Sequence, residues 1–522
     1  MGYAVDMWCI WLACSESAVV PIETDAPSPV PVEDRPSRLV INEVMGDNDS
    51  TAAGPLVGFA DWVELYNGDD VPHDLGQLRL EGKNGFWQGD FGTIEAHGRW
   101  MIWADANFSV DKDGDDLTLQ LDGVEVDRVA TGALPGDVSF ARIPDAGAWA
   151  PTWRATPGGP NPTQAGSADP SDFLFGDDRI VRIDLTIRGE ELQKLRDNPR
   201  VDAKASLGVG AAYFPEVGVR VKGFWGSTRS IDQKAALKIN LDAYADVRLR
   251  GLESLTLNNC VQDPTYVHES LAYDLFRALD VPAPRTGWVW LVVNGEDWGL
   301  YSHLESEDEN FLARWYGNAG GHLYESSYPY DLHPGSEGFY GYNEGPDPND
   351  REGLRQLIAA LAEPPTDAAV ARLERILDLD EVLRELAGEA LTTHWDGYKD
   401  NLNNYRLYLD PYTGRFQLLP WGVDQTFLGS AWPWNAAGRI AQFCFANAGC
   451  LARYDAALAD ALDVYDRLNL IDRLDERSAR LRPLVEADPR REFDLATHDI
   501  YVDYTRYMIE SYPASVRYWL ND

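Results

Sequence analysis

The sequence is poor in the residues that build staples and metal cages. Only five of its 522 residues are cysteine and eight are histidine, and no CxxC pair occurs, which argues against a structural zinc site. Basic charge is also scarce, with 45 Lys and Arg against 85 Asp and Glu, a formal net charge of −40. Such a surface repels phosphate backbones and anionic lipid, so no nucleic-acid partner is expected and a membrane surface is a poor one. Long apolar runs are missing too: none reaches the ~20 residues that a membrane helix needs. What remains is foldable. Hydrophobic residues make up 44% and aromatics 11%, and the length allows two separate cores.

The first residues point to export. Met7 to Ala13 (MWCIWLA) is a short apolar run ending at Ala13-Cys14 and followed by polar Ser15-Glu16-Ser17. It looks like a bacterial lipoprotein cleavage site with Cys14 as the lipidated residue, although no Lys or Arg precedes it and Asp6 is acidic. Residues 1–17 are therefore read as a signal or lipoprotein-like segment. The expected location is extracellular or on a bacterial cell surface, with membrane contact only through a lipid anchor at Cys14. Near the other end, Cys444 and Cys450 close the short loop FCFANAGC. They read as a disulfide formed in an oxidising compartment, the alternative being two buried free thiols.

Two Pro-rich breaks divide the rest: residues 18–37 (VVPIETDAPSPVPVEDRPSR), read as a spacer, and 155–172 (ATPGGPNPTQAGSADPSD). Between them short alternating runs, Leu39–Val44, Trp62–Tyr66, Trp100–Ala104, Leu117–Leu121 and Val124–Val129, predict an all-β sandwich. The acidic run at 111–116 lacks the spacing of a calcium loop and reads as a turn. INEVM at 41–45, DWVELYN at 61–67 and the closing TPGGPNP resemble the lamin-tail domain, which implies an immunoglobulin-like sandwich over residues 38–163. No nucleophile–base pair is visible there, so binding or spacing is its expected role.

Residues 173–522 read as α+β with a helical C-terminal part. Strands are predicted at 180–187, 216–222, 235–241, 287–293 and 298–304, the last two joined by the hairpin turn Asn294-Gly295. Helices are predicted at 264–279, with Pro264 at the first position, and at 352–362, 367–377 and 380–394. A strand pair is predicted around the turn at 411–414. The order of strand lysine, helix glutamate, two strands, an Asp/Asn loop and a final aspartate is that of a protein kinase. Phosphoryl transfer builds charge on oxygens, which calls for a fixed cation, metal-binding carboxylates and a base beside the acceptor hydroxyl.

Five blocks in order, VRVKGFWGSTRS…KAALKINLD, LNNCVQDPTYVHESLAYDLFRALDVPAPRT, VVNGEDWGLYSHLE, HWDGYKDNLNNYRLY and PWGVDQTF, resemble the spore-coat protein H (CotH) kinase family over about 180–430. The resemblance implies an atypical protein-kinase-like domain using ATP with Mg²⁺ or Mn²⁺ to phosphorylate Ser or Thr of a protein at the cell surface or outside. It implies Asp396 as base, Asp424 with Asn401 or Asn404 as metal ligands, and Lys238 or Lys234 paired with Glu269 on the phosphates. It also implies Glu305 beside adenine. Three departures stand out: Ala235 replaces a family lysine, His268 stands where the family tends to have Arg, and Gly422 replaces the first Asp of Pro-Trp-Asp-x-Asp. They keep open an inactive kinase-fold protein of surface adhesion or assembly. A carbohydrate-active enzyme using some of the 18 tryptophans is weaker, for want of a separate carboxylate pair.

Overall fold

The computed structural model describes residues 38–521 except 50, 55–56, 164–168, 178, 225, 246 and 430. The signal-like segment with Cys14 and the Pro-rich spacer lie outside the described residues.

Two five-stranded sheets form the N-terminal region. One runs, in spatial order, Ala148–Thr152, Ser139–Ile143, Leu39–Met45, Trp62–Asn67 and Arg99–Trp103. The other runs Val124–Ala130, Asp116–Leu121, Leu78–Gly82, Asn84–Gln88 and Phe108–Ser109. Alternate residues of both, among them Leu39, Ile41, Val63, Leu65, Leu78, Leu80, Leu117 and Leu119, share one core. The acidic run 111–116 is a turn closed by Gly114 N donating to Asp111 O at 3.0 Å.

The three lamin-tail-like motifs meet in one buried polar network. Glu43 accepts from Ser139 Oγ (2.5 Å) and from the amide and hydroxyl of Thr156 (both 3.2 Å). Glu64 accepts from Asn42 Nδ2 (2.9 Å) and Gly158 N (2.7 Å). Asn161 Nδ2 donates to the carbonyls of Asn42 (3.0 Å) and Arg142 (2.8 Å). The closing segment thus satisfies carboxylates that would otherwise be costly to bury.

The second region begins with a closed seven-stranded barrel. Its strands follow one another as Ile180–Ile187, Ala203–Val209, Ala212–Val221, Leu237–Asn240, Ser254–Asn258, Glu296–Leu304 and Thr286–Val293. The last pairs in parallel with the first, Ile183 opposite Leu291, and the other pairs are antiparallel. Val217, Val219, Val221, Leu237, Ile239, Leu255 and Leu257 fill the inside. By alternation Arg220, Lys222, Lys238, Thr256 and Asn258 face out.

The helix predicted from Pro264 starts later, at His268, and runs to Ala278. Asp263 accepts the amides of Thr265 and His268, both at 2.9 Å, and so holds residues 264–267 in a turn ahead of it. After the short helix Glu309–Tyr316, a four-stranded sheet (Tyr340–Glu344, His322–Ser326, Tyr405–Leu409, Phe416–Pro420) backs the helices. These are Glu352–Leu361, Asp367–Leu373, Leu379–Leu391, Arg439–Phe445, Ala448–Leu468, Leu470–Ala487 and Leu495–Asn521, with one large shared core. Cys444 and Cys450 are bonded to each other, and Cys260 is a buried free thiol.

The sandwich rests on the second region. Leu134 and Trp153 pack on the cluster of Phe311, Leu312, Tyr316, Tyr408 and Leu419. Trp153 Nε1 donates to Asn310 Oδ1 at 3.1 Å, and Ala319 N to Ala133 O at 2.8 Å.

Candidate active site

The loop carrying Asp396 hangs from the end of the helix Leu379–Leu391. Glu389 is fully buried and accepts the amides of Tyr398 (2.6 Å) and Lys399 (2.7 Å). Gly397 makes this approach feasible, since a Cβ there would sit 2.1 Å from Glu389 Oε1. The amides that follow converge on Asp396. Asn401 Nδ2 (2.6 Å) and Asn403 Nδ2 (3.2 Å) donate to Oδ1, while Asn404 Nδ2 donates to Oδ2 (2.9 Å) and to the Asp396 carbonyl (3.1 Å). Bonds from uncharged donors to a carboxylate fix its direction without neutralising it.

Asp424 follows the strand Phe416–Pro420 but does not continue it. Gly422 turns the chain at φ +56°, and residues 423–425 form one 3₁₀ turn. Residues 422 and 424 therefore do not alternate as neighbours on a strand would. A Cβ at 422 would lie 2.6 Å from Asn404 Oδ1, so the bare glycine lets the two loops touch. The Asp424 carboxylate accepts no hydrogen bond from another described residue. Burial pushes its pKa well above the carboxylate range, Glu269, Asp263 and Asp396 add to the rise, and Lys222 opposes it. Asp396 and Asp424 are thus within each other's electrostatic reach.

The lysine near Asp424 is Lys222, just after the strand Ala212–Val221. Its Nζ donates to Asn258 Oδ1, and Asn258 Nδ2 donates to Glu269 Oε1 at 2.5 Å, so an amide bridges the charges. Burial lowers the Lys222 pKa to about 8 against the pull of Glu269 and Asp424. Burial likewise pushes Glu269 up, with Lys222 opposing. Arg406 lies over the Trp421 ring at 4.2 Å and Lys222 reaches the same ring at 5.7 Å.

Neither lysine expected from the sequence pairs with Glu269. Lys238 donates to Ser306 Oγ at 2.6 Å and weakly to Thr256 Oγ1 at 3.4 Å. Lys234 is buried in an ion pair with Asp488 and donates to Tyr266 Oη at 3.0 Å. Glu305 is occupied as well: Arg285 and Arg314 flank it, the former at 2.9 Å. Burial alone would raise its pKa, but the two guanidinium groups hold it below the usual range. His268 ties the site to the last helix, with Nδ1 3.1 Å from the Asp424 carbonyl and Nε2 2.8 Å from Thr505 Oγ1.

Sequence reasoning missed Lys222, Asn258, Asn403 and Glu389. Lys222 was within reach, because buried Val217, Val219 and Val221 set an alternation that turns 222 outward. Among the described residues, no group of three or more His, Cys, Asp or Glu is placed to hold a metal ion by itself.

Residues 219–512 match the family model described as CotH kinase protein, and 33–133 match the Lamin Tail Domain. The inner spore coat protein H of Bacillus subtilis is 27% identical over 198 residues, 36% of this chain and 54% of that protein. The invasins CotH2 and CotH3 of Rhizopus delemar are 31% and 29% identical over 186 residues, each match covering 33% of this chain and 31% of the invasin. The chain thus spans about half the length of the first relative and under a third of the other two. A solved chain from the Shewanella oneidensis HipA–HipB–operator DNA complex aligns over 67% of this chain and 75% of its own, at 12% identity. Its TM-score of 0.27 carries no statement about fold.

Proposed function

The chain belongs to the CotH kinase protein family, and from that premise we propose that it transfers the ATP γ-phosphoryl group to a Ser or Thr hydroxyl of a surface or extracellular protein. One observation carries the reading: an Asp396 held by three amides lies within electrostatic reach of Asp424, whose open carboxylate in turn lies within reach of Lys222.

In this reading Asp396 takes the proton of the acceptor hydroxyl as its oxygen bonds to the γ-phosphorus and the bond to the bridging oxygen of ADP breaks. Lys222 holds phosphate oxygens, and Asn258 passes the orientation of Glu269 to it. Mg²⁺ or Mn²⁺ fits the donors present. Mg²⁺ commonly takes one or two protein carboxylates and completes its shell with phosphate and water, and the Asp424 carboxylate is not committed elsewhere. The side-chain oxygen of Asn401 or of Asn404 would be the further protein ligand, since both amide nitrogens are turned to Asp396. When bound, the ion would neutralise charge on the phosphates.

A surface or extracellular location is part of the proposal. It is supported by the Cys444–Cys450 bond and by relatives named for a spore coat and for invasion. No helix among the described residues is long and apolar enough to cross a membrane.

The test is incubation with labelled ATP and Mg²⁺ or Mn²⁺. Label transfer should vanish in Asp396→Ala and Lys222→Met and persist in Lys238→Met. Transfer that survives Asp396→Ala would overturn the assignment. Gly422, in place of the family's first aspartate, favours the second reading, a non-catalytic adhesion or assembly protein. In that case Mg·ATP titrated into the natural protein would give no binding heat.

A further inference from the structure

The last helix, Leu495–Asn521, has three faces. His498, Thr505, Met508, Ile509, Tyr512 and Val516 are buried against the rest of the protein. Almost opposite, Ile500, Tyr504, Tyr507, Ser511, Ala514 and Tyr518 form a stripe without a charge. Ile500, Tyr507 and Tyr518 are each at least 60% exposed, and Tyr504 is 39% exposed, with its hydroxyl accepting the Gly429 amide at 3.2 Å. Asp503, Glu510 and Arg517 line one side of the stripe. The intervals along it alternate between four and three residues, the spacing of a coiled-coil seam. A helix needs only one apolar face to dock on its own core, and among the described residues the second is left mostly exposed, with the Tyr504 hydroxyl its one hydrogen bond to another element.

We propose that this stripe binds the same stripe of a second copy of the chain, with the two helices antiparallel. The sizes of the residues favour that direction. In one antiparallel register Tyr504 faces the partner's Ala514, Tyr507 faces the partner's Ser511 and Ile500 faces the partner's Tyr518, so two of the three layer types set a large residue against a small one. A parallel pair would set each tyrosine against itself and leave Ser511 against Ser511, alternating crowded layers with empty ones. The flanking charges agree. The antiparallel register brings Asp503 to the partner's Arg517 twice, related by the two-fold axis, against a single Glu510–Glu510 contact on the axis. Arg517 already pairs with Asp466 at 2.5 Å and has further donors to offer. Such a contact is isologous and closes at two copies. It does not depend on phosphoryl transfer.

Sedimentation of the full chain tests this, with melting temperature and near-ultraviolet dichroism of each variant as the check on folding. The natural protein should be a dimer at micromolar concentration. Ala514→Glu buries a charge in the seam and should raise the dimer dissociation constant roughly 100-fold or more. Asp503→Arg and Arg517→Asp should each weaken the dimer about tenfold by creating two like-charge contacts. The double variant Asp503→Arg with Arg517→Asp should recover most of the loss, because only the antiparallel register exchanges those two partners. A natural protein that stays monomeric to about 100 µM overturns the proposal, as does a dimer indifferent to Ala514→Glu. Failure of the double variant to recover, with both singles folded, overturns the antiparallel register.

Discussion

In the sandwich, Glu43 and Glu64 are removed from water and met by Ser139, by Asn42 and by Thr156 and Gly158 of the segment that closes the domain. In the cleft, Asp424 is also desolvated but accepts no hydrogen bond from another described residue, and Glu269 is met by the Asn258 amide. Burial raises the pKa in both places, to about 7 at Glu64 and well above the usual range at Asp424. Desolvation therefore does not distinguish a structural carboxylate from a functional one. Between these residues the supply of donors does: neighbours fill the oxygens of Glu43 and Glu64, whereas the Asp424 carboxylate stays open near Lys222 and is the one proposed to take the metal.

Exchanging the two cases should separate stability from activity. Asp424→Asn is expected to cost at least ~100-fold in metal-dependent ATP binding or transfer. Its melting temperature should be unchanged or higher, because no hydrogen bond is lost and the cost of burying an ionisable carboxyl disappears. Calorimetric titration and thermal unfolding read the two halves. Glu43→Ala is expected to do the reverse. It strips partners from Ser139 and Thr156 and should cost the sandwich about 3 kcal/mol while leaving ATP binding intact. A Glu43→Ala protein that folds normally but cannot bind ATP would break the comparison.

Gly422→Asp should lower transfer about tenfold rather than improve it. The left-handed backbone costs a non-glycine residue about 1–2 kcal/mol, and the new Cβ would push Asn404 off Asp396. Rates of Gly422→Asp and Gly422→Ala, measured together, show whether the added carboxylate compensates.

The smallest effect is in the pH profile. The raised pKa of Asp424 means that a metal must displace a proton, so metal affinity should fall as pH is lowered and binding should release protons. Heats measured in buffers of different ionisation enthalpy detect the release. On the alkaline side Lys222, lowered to about 8, should lose its charge and its hold on phosphate as pH rises through that value. The linkage to stability has the opposite sign to the acid limb of binding. A carboxyl raised by folding stabilises below its unfolded pKa and loses that contribution as pH rises.

Much of this was legible wherever neighbours in sequence are neighbours in space. The apolar rhythm of 352–362 and 380–394 and the turn Asn294-Gly295 located helices and hairpin to within a few residues. Asp396 stood out because its amides follow within eight positions. The lysine was harder. Lys222, Lys238 and Lys234 are close along the chain, and choosing among them depends on Asn258, Ser306 and Asp488, whose proximity is a property of the barrel. Where the second strand of the pair ends was not legible, because nothing local in Pro420-Trp421-Gly422 marks the last rung of the ladder. The stop is set by contact with Asn404, a residue 18 positions earlier that no local pattern predicts.

The parallel pairing of Ile180–Ile187 with Thr286–Val293 has a consequence for the order of events during synthesis. About a hundred residues separate these strands, and the barrel stays an open sheet with two bare edges until the second has left the ribosome. Arg477 reaches back to Asp177 across 300 residues and clasps the seam later still. The sandwich, whose strands all lie before residue 153, can be finished much earlier. A nascent chain should therefore show protease resistance in two stages, first in the sandwich, then in the barrel only after the C-terminal helices emerge, with the slow stage set by closure of the parallel seam.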